Sequence, residues 1–180
     1  MTSRGPDECA DTVFTGHIRV RPALNDAERA HLVRLSDSAG TLRGTPTGRG
    51  DRDVPFARSG WQVCPGGCCL TWDPDDEASD MVLPTLRFLI DHLLRRGAKG
   101  EGRAVFDGFT FDHVLDGAVM GGAAGEAGAR LVEVTGNVAS ERLLPASCGS
   151  LSAPPSTRST GRTRRGRLPA NVIQFRPRRA

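Results

Sequence analysis

The sequence predicts an α+β domain, in which an antiparallel or mixed sheet carries two helices on one face, a layout compatible with a ferredoxin-like topology. Two periodicities support this. Apolar and polar residues alternate over residues 13–21, the pattern of a half-exposed strand, and apolar residues recur at helical spacing over 81–94. The segments follow the order βαββα and then three strands, which favours helices layered on a sheet.

Length and composition predict one folded body. The chain has 180 residues, of which 38% are hydrophobic and 25% charged, slightly lean on the apolar side for a globular protein. We place the domain at residues 13–142, after a flexible N-terminus at residues 1–12. Residues 143–180 are rich in Ser, Thr, Pro, Gly and Arg and are predicted to be a disordered tail.

The first strand and helix have clear end signals. Pro22 ends the strand at residues 13–21, because proline cannot donate to a sheet ladder. Asn25 and Glu28 have the spacing of a capping box, which predicts a helix through about Ser38.

A loop and a hairpin are expected next. Residues 41–60 contain scarcely an apolar side chain, which predicts a long mobile loop. Residues 61–72 read as two short strands joined by a three-residue turn at 65–67, Pro-Gly-Gly. That turn length places Cys64 opposite Cys68.

The second helix is predicted over residues 81–94. Acidic residues crowd the segment before it, at 73–80, where they would stabilise the positive helix start. Pro84 falls in the first turn, where a missing amide donor costs little, and Gly97 follows as a C-cap.

The remaining segments are predicted to be strands. Residues 104–115 alternate in the manner of a strand, and Asp116–Gly117 predicts a tight turn, so this stretch is expected to be a hairpin. The glycine-rich residues 121–128 are expected to be a flexible connection. Residues 129–135 form a final strand before a turn at Gly136–Asn137.

Several short motifs carry a family resemblance. FTGHIRVRPALN near the start, LTWD in the middle, then LRFLIDHLLRRG and FTFDHVLDG resemble a group of small actinobacterial α+β proteins with no known activity. The resemblance covers roughly residues 13–138 and implies their fold. It supplies no catalytic residues, and residues 121–128 and the basic tail depart from it.

Cysteine usage gives the first candidate site. The number of cysteines is odd and the first twelve residues do not form a signal peptide, so we expect reduced thiols and a cytoplasmic protein. The cysteines are Cys9, Cys64, Cys68, Cys69 and Cys148.

Cys64, Cys68 and Cys69 have a spacing within the range of zinc ligands, with His92 or His113 as a fourth ligand. The second ligand pair of a zinc knuckle is missing, and strand neighbours Cys68 and Cys69 are expected on opposite faces. Buried hairpin cysteines are therefore favoured over a metal- or thiol-dependent site, and no metal or cofactor is predicted. A disulfide between opposed cysteines remains an alternative.

No catalytic residue is predicted, and the chain is expected not to be an enzyme. Asp112 and His113 are strand neighbours that project to opposite faces, so His113 is interpreted as a hydrogen-bonded core or sheet-rim residue. Residues 73–80 lack the pattern of a calcium loop, and residues 121–128 lack the ending of a phosphate loop. The chain contains no G-x-S-x-G motif.

Charge is segregated along the chain. Residues 1–142 hold 16 basic and 21 acidic groups, a net charge of −5, whereas residues 143–180 hold eight Arg and no acid. A flexible cationic segment displaces counterions from phosphates without reading sequence. The predicted nucleic-acid contacts are Arg158, Arg162, Arg164, Arg165, Arg167, Arg176, Arg178 and Arg179.

The leading hypothesis from sequence is thus a non-enzymatic accessory protein. Its body would bind an unknown protein partner, and its tail would contact nucleic acid non-specifically. The alternatives are a transfer or regulatory accessory of a plasmid or phage, a metal- or thiol-dependent protein using the cysteine hairpin, and a tail that only reflects a GC-rich genome. The longest apolar tract is too short for a membrane span, so no membrane insertion is expected.

Overall fold

The computed structural model describes residues 13–76, 78–122 and 128–145, which form an antiparallel sheet with two α-helices. The six strands lie in the order β2-β3-β1-β4-β5-β6. The strands are β1 (Val13–Arg21), β2 (Trp61–Val63), β3 (Cys69–Trp72), β4 (Val114–Gly122), β5 (Gly128–Thr135) and β6 (Val138–Pro145). The helices are α1 (Asp26–Asp37) and α2 (Val82–Leu89).

The topology confirms the predicted α+β class. From β1 to β4 the chain order is βαββαβ and the strands lie as β2-β3-β1-β4, which is the arrangement of a ferredoxin-like unit. The β5–β6 hairpin then extends the sheet beyond β4. All pairings are antiparallel, and the connections through α1 and α2 each cross over one strand, because β1 pairs with β3 and β4 and not with β2.

One face of the sheet is covered by the helices and the other is exposed. In β1 the covered side chains are Phe14, Ile18 and Val20, which join the core formed with both helices. The side chains between them, Thr15, His17, Arg19 and Arg21, are exposed. We call the surface that carries these four residues the open face. The alternation follows from the two-residue period of a strand.

The predicted capping box of α1 is present. The Asn25 side-chain oxygen accepts a hydrogen bond from the Glu28 backbone N–H at 3.0 Å, and the Glu28 carboxylate accepts from the Asn25 backbone N–H at 2.8 Å. These bonds satisfy amide donors that a helix start leaves unpaired. The helix ends at Asp37, with Ser38 as its C-cap, close to the predicted end.

The second helix is not uniform. It starts as a 3₁₀ turn at Ser79–Met81, continues as α2, and ends as a π-helical turn at Ile90–Leu94. Pro84 lies in the first turn of α2, as predicted. Most of its side chains are buried, as expected of a helix packed on several sides.

The predicted hairpin over residues 104–117 is wrong. Residues 104–106 form a 3₁₀ turn, residues 107–113 form no strand, and β4 runs straight through Asp116–Gly117. Gly117 pairs with Ile18 in β1 at a φ of +143°, and a Cβ there would lie 2.6 Å from the His17 carbonyl oxygen. Because Gly117 has no side chain, β1 can approach it closely, and Gly117 does not form a turn.

Two further segments differ from expectation. Residues 41–60 contain little regular structure, but Leu42 and Val54 are buried in the core, and the Leu42 backbone N–H donates to Ala57 at 2.8 Å. Strand β6 had no sequence prediction and reaches Pro145, past the predicted boundary at residue 142. No helix in the described ranges is long and apolar enough to cross a membrane.

Candidate functional site

The β2–β3 hairpin builds a cluster of thiols at one end of the sheet. The Cys64 backbone N–H donates to the Cys69 carbonyl at 3.0 Å, so these two residues pair and the connecting loop is 65–68. The prediction that Cys64 lies opposite Cys68 is therefore wrong. The loop needs one more residue because Gly67 also donates to the Cys64 carbonyl, closing a turn.

Gly67 fixes the loop against the body of the protein. Its φ is +68°, and a Cβ would lie 2.6 Å from the Leu24 carbonyl oxygen, which no side chain tolerates. Leu24 donates its backbone N–H to the Gly67 carbonyl at 2.9 Å, and Val20 donates to Cys68 at 2.8 Å. The thiols are therefore held on a backbone anchored to β1 and to the segment before α1.

The three sulfur atoms converge. The Sγ atoms of Cys64, Cys68 and Cys69 all lie within 4.8 Å of one another, and those of Cys64 and Cys68 are 3.5 Å apart. Cys68 belongs to the loop and not to β3. The strand alternation that was expected to place it on the opposite face from Cys69 therefore does not apply. Cys68 is exposed and the other two are half-buried, which corrects the prediction of buried cysteines.

Hydrogen bonding differentiates the thiols. Burial alone would raise the pKa of Cys64, but hydrogen bonds from the thiols and backbone N–H groups of Cys69 and Cys68 outweigh it and lower the pKa to about 7. One of these donors, the Cys69 N–H, lies 3.2 Å from the Cys64 sulfur. The hydrogen bond to Cys64, then burial and the neighbouring negative charge, raise the pKa of Cys69 to about 12. Cys64 therefore ionises far more readily than Cys69 and is about half ionised at pH 7.

A cavity adjoins the cluster on the open face. It has a volume of about 550 Å³ and is lined by Cys68, Cys69 and Thr71 and by five residues of β1, Gly16, His17, Arg19, Val20 and Arg21. Arg19 pairs directly with Cys69 in the sheet register, so the two side chains share a face. Sequence reasoning missed this association, because nothing local shows that β3 lies beside β1.

His113 does not join the cysteine cluster. Its Nε2 lies 3.0 Å from the Glu28 carboxylate and 3.1 Å from the Thr110 hydroxyl, and its Nδ1 lies 2.8 Å from the Pro22 carbonyl oxygen. His113 and Glu28 are 1% and 0% exposed. Both ring nitrogens are occupied within the core, so His113 is not free to ligate a metal with the cysteines.

Sequence analysis identified Glu28 only as part of the capping box of α1, and the structure gives it further contacts. Its carboxylate accepts from Asn25 N–H at 2.8 Å, Thr110 N–H at 2.7 Å and the Thr110 hydroxyl at 3.0 Å, besides facing His113. These contacts join the start of α1 to the segment before β4. The network is enclosed and satisfied, which indicates a structural function.

The other candidates remain apart. His92 is buried in the π-helical turn, with its Nε2 3.7 Å from Asp51. In residues 13–76, 78–122 and 128–145, the three cysteines are the one group of three or more His, Cys, Asp or Glu residues close enough to hold a metal ion. Of the acids at 73–80, Asp73 and Asp76 cap local turns by accepting from Asp75 and Ala78.

Some predicted features lie outside the described residues. These are the eight tail arginines, the N-terminal segment, and residues 123–127 of the glycine-rich connection; Gly121 and Gly122 end β4 and Gly128 begins β5. The nucleic-acid contacts therefore stay a prediction.

Comparisons with protein-family models, with curated proteins and with solved structures found no match for this chain. The resemblance to the actinobacterial group thus stays a prediction, and the candidate site rests on its own geometry.

Proposed function

We propose that Cys64 and Cys68 form a redox-active dithiol that cycles between two thiols and a disulfide. The observation that carries this proposal is the 3.5 Å separation of their sulfur atoms on an anchored loop. A disulfide requires sulfurs about 2.05 Å apart, so closure needs only a small rotation of side chains in a loop whose tip is exposed. Cys64 supplies the nucleophile because its lowered pKa of about 7 leaves a large fraction of it as thiolate at neutral pH.

The oxidation step balances with a small disulfide as the oxidant. The Cys64 thiolate attacks one sulfur of the disulfide RSSR, the S–S bond breaks, and one RS⁻ leaves. The Cys68 thiol then loses its proton to that thiolate and attacks the Cys64 sulfur, and the second RS⁻ leaves. The protein loses two electrons, and RSSR becomes one thiol and one thiolate.

Cys69 has a supporting role in this proposal. Its N–H and thiol stabilise the Cys64 thiolate, while its own raised pKa keeps it protonated. It therefore tunes the reactive thiol and does not enter the disulfide. Replacing Cys69 with Ala should raise the pKa of Cys64 but leave the Cys64–Cys68 disulfide able to form.

The test is redox titration of the full chain with oxidised dithiothreitol, followed by peptide mapping of the product. We expect one internal disulfide that joins Cys64 to Cys68. Cys64→Ser and Cys68→Ser should abolish it, whereas Cys69→Ser should retain it as the matched control. A disulfide through Cys69, or no disulfide at any oxidant ratio, would overturn the proposal.

A second candidate function is binding of a soft metal ion, which the convergence of all three sulfurs favours. Thiolates select Zn²⁺ and Cu⁺, and a Zn–S distance of about 2.3 Å places tetrahedral sulfurs roughly 3.8 Å apart. The observed spread within 4.8 Å is close to that arrangement. Three protein ligands would leave the fourth position open, as in catalytic rather than structural zinc sites.

Substitution of Cys69 distinguishes the redox function from the metal-binding function. A metal site needs all three thiols, so Cys69→Ser should weaken binding of Zn²⁺ strongly, whereas it should spare the disulfide. The measurement is competition for Zn²⁺ against a chromophoric chelator under reducing conditions. One equivalent bound by the native chain and lost in Cys69→Ser would establish the metal site; no binding would remove this candidate.

We also propose, from charge segregation in the sequence, that the arginine-rich tail attaches the protein to nucleic acid. The acid-free segment with eight Arg supports this proposal. It is independent of the thiol chemistry and is tested by DNA binding after removal of residues 147–180.

A further inference from the structure

The cavity on the open face carries two guanidinium groups, those of Arg19 and Arg21. His17, Arg19 and Arg21 line it and project from alternate positions of β1. All three are exposed, and within the described part of the chain none of them forms an ion pair. Asp116, which pairs with Arg19 on the side of β4, accepts a hydrogen bond from the Gly136 N–H at 2.8 Å. The guanidinium groups are thus available to an anion.

The cavity also has a chemically distinct wall. Cys68 and Cys69 line it, whereas Cys64 is not among its lining residues. When Cys64 and Cys68 are joined in a disulfide, a nucleophile in the cavity therefore meets the Cys68 sulfur first. Attack there would release Cys64, and the Cys69 N–H that lies 3.2 Å from the Cys64 sulfur would stabilise the departing thiolate. Thiolates that are stabilised in this way leave faster.

The spacing of the arginines indicates the shape of the anion. Residues two apart on a strand project from the same face about 6.6 to 7 Å apart. Each guanidinium group can form two parallel hydrogen bonds with one carboxylate. A small molecule with two separated carboxylates fits this pair better than a compact anion.

We propose that this cavity takes a low-molecular-weight thiol bearing carboxylates, which reduces the Cys64–Cys68 disulfide by attack on Cys68. The inference rests on the proposed redox function and names its substrate class. The incoming thiolate bonds to the Cys68 sulfur, the S–S bond breaks, and Cys64 leaves as a thiolate. A second thiolate attacks the small molecule's sulfur in the mixed disulfide, which releases the small disulfide and the Cys68 thiolate. Two thiols thereby supply two electrons to the protein.

The experiment follows reduction of the oxidised full-length protein by stopped flow, with glutathione as the dicarboxylate thiol and 2-mercaptoethanol as the neutral thiol. We compare the native chain with Arg19→Gln/Arg21→Gln, and with Arg96→Gln as a control at an exposed arginine away from the cavity. The double variant should reduce the glutathione rate about tenfold, because it removes two exposed charge pairs between arginine and carboxylate, and should slow 2-mercaptoethanol, whose only charge is its reacting thiolate, much less. Added salt should diminish the difference.

The outcomes separate the two proposals. If oxidised dithiothreitol produces no Cys64–Cys68 disulfide, the proposed function fails and with it the inference. If the disulfide forms but both thiols lose rate equally in the double variant, or neither does, the cavity does not select carboxylates and only the inference fails. Mass spectrometry of rapidly acidified samples provides a second readout. Glutathione attached to Cys68 supports the direction of attack, and attachment to Cys64 overturns it.

Discussion

We expect the buried Glu28–His113 contact to contribute strongly to the free energy of unfolding, and a substitution at Glu28 tests this. The substitution Glu28→Gln keeps the size and shape of the side chain but replaces one acceptor oxygen with an NH₂ donor. In the native protein, the Asn25 N–H, the Thr110 N–H and the Thr110 hydroxyl donate to the Glu28 carboxylate, and the His113 Nε2 lies 3.0 Å from it. At least one of them must then face another donor inside the core.

The expected cost is large because Glu28 and His113 are 0% and 1% exposed. Removing one partner of a buried, hydrogen-bonded charge pair costs about 3 to 5 kcal/mol, a large fraction of the roughly 5 to 15 kcal/mol that stabilises a domain. At about 3 to 4 °C per kcal/mol for a domain of this size, Tm should fall by roughly 9 to 20 °C. Calorimetry and urea unfolding measure both quantities.

The pH dependence of this stabilisation has a defined sign. Burial by itself raises the pKa of Glu28, but hydrogen bonds from Thr110, His113 and Asn25, with the charge of His113, lower it overall below 4.5. A carboxyl whose pKa is lower in the folded state stabilises the protein above its unfolded pKa. That contribution is lost as the pH falls through the folded pKa. The gap in unfolding free energy between native protein and Glu28→Gln should therefore narrow in acid.

The matched control is Glu133→Gln, at a carboxylate that is 47% exposed and 3.4 Å from Arg142. An exposed pair contributes about 0 to 1 kcal/mol, so this variant should unfold close to the native protein. If Glu28→Gln also loses less than about 1 kcal/mol, the interpretation of the buried network as a structural element that joins α1 to β4 is refuted.

Three other expectations follow from the same structure and sequence. Gly16→Ala should lower the free energy of unfolding in urea by at least about 2 kcal/mol, because its Cβ would lie 2.5 Å from the Ala118 carbonyl oxygen at a φ of +111°. The control Gly97→Ala, which has a φ of +73° but open space around its Cβ, should lower it by only about 1 kcal/mol. Alkylation of Cys64, followed by peptide mapping, should show a midpoint near its pKa of about 7; a midpoint at the ordinary thiol pKa would contradict the hydrogen-bond argument. Removing residues 147–180 should abolish DNA retention at low salt, measured across a salt series; unchanged retention would reject tail-mediated attachment.

Local patterns in the sequence were sufficient for several elements. The alternation over residues 13–21 and the capping box at Asn25 and Glu28 each depend on neighbours within one turn or one strand, and both are confirmed. The α+β class also follows, since the order of periodic segments restricts how a sheet and two helices can be layered. The charge difference between the body and the tail is likewise visible in the sequence alone.

Local signals failed where a distant strand decided the conformation. Asp116–Gly117 reads as a turn, but Gly117 continues a strand because β1 approaches too closely for any side chain. Strand β6 was missed because its residues show no clean alternation, and its pairing with β5 along the whole length defines it.

The candidate site also has features that the sequence shows and features that depend on tertiary structure. The sequence determined that three cysteines occupy one hairpin, and a turn motif between them was evident. Only the tertiary structure decided the loop length that pairs Cys64 with Cys69, the position of Arg19 beside Cys69, and the enclosure of His113 by Glu28. The physical reason is that register and side-chain contact between strands depend on which segments become neighbours in the sheet. That choice is made by burial of the whole core, and no short window of sequence contains it.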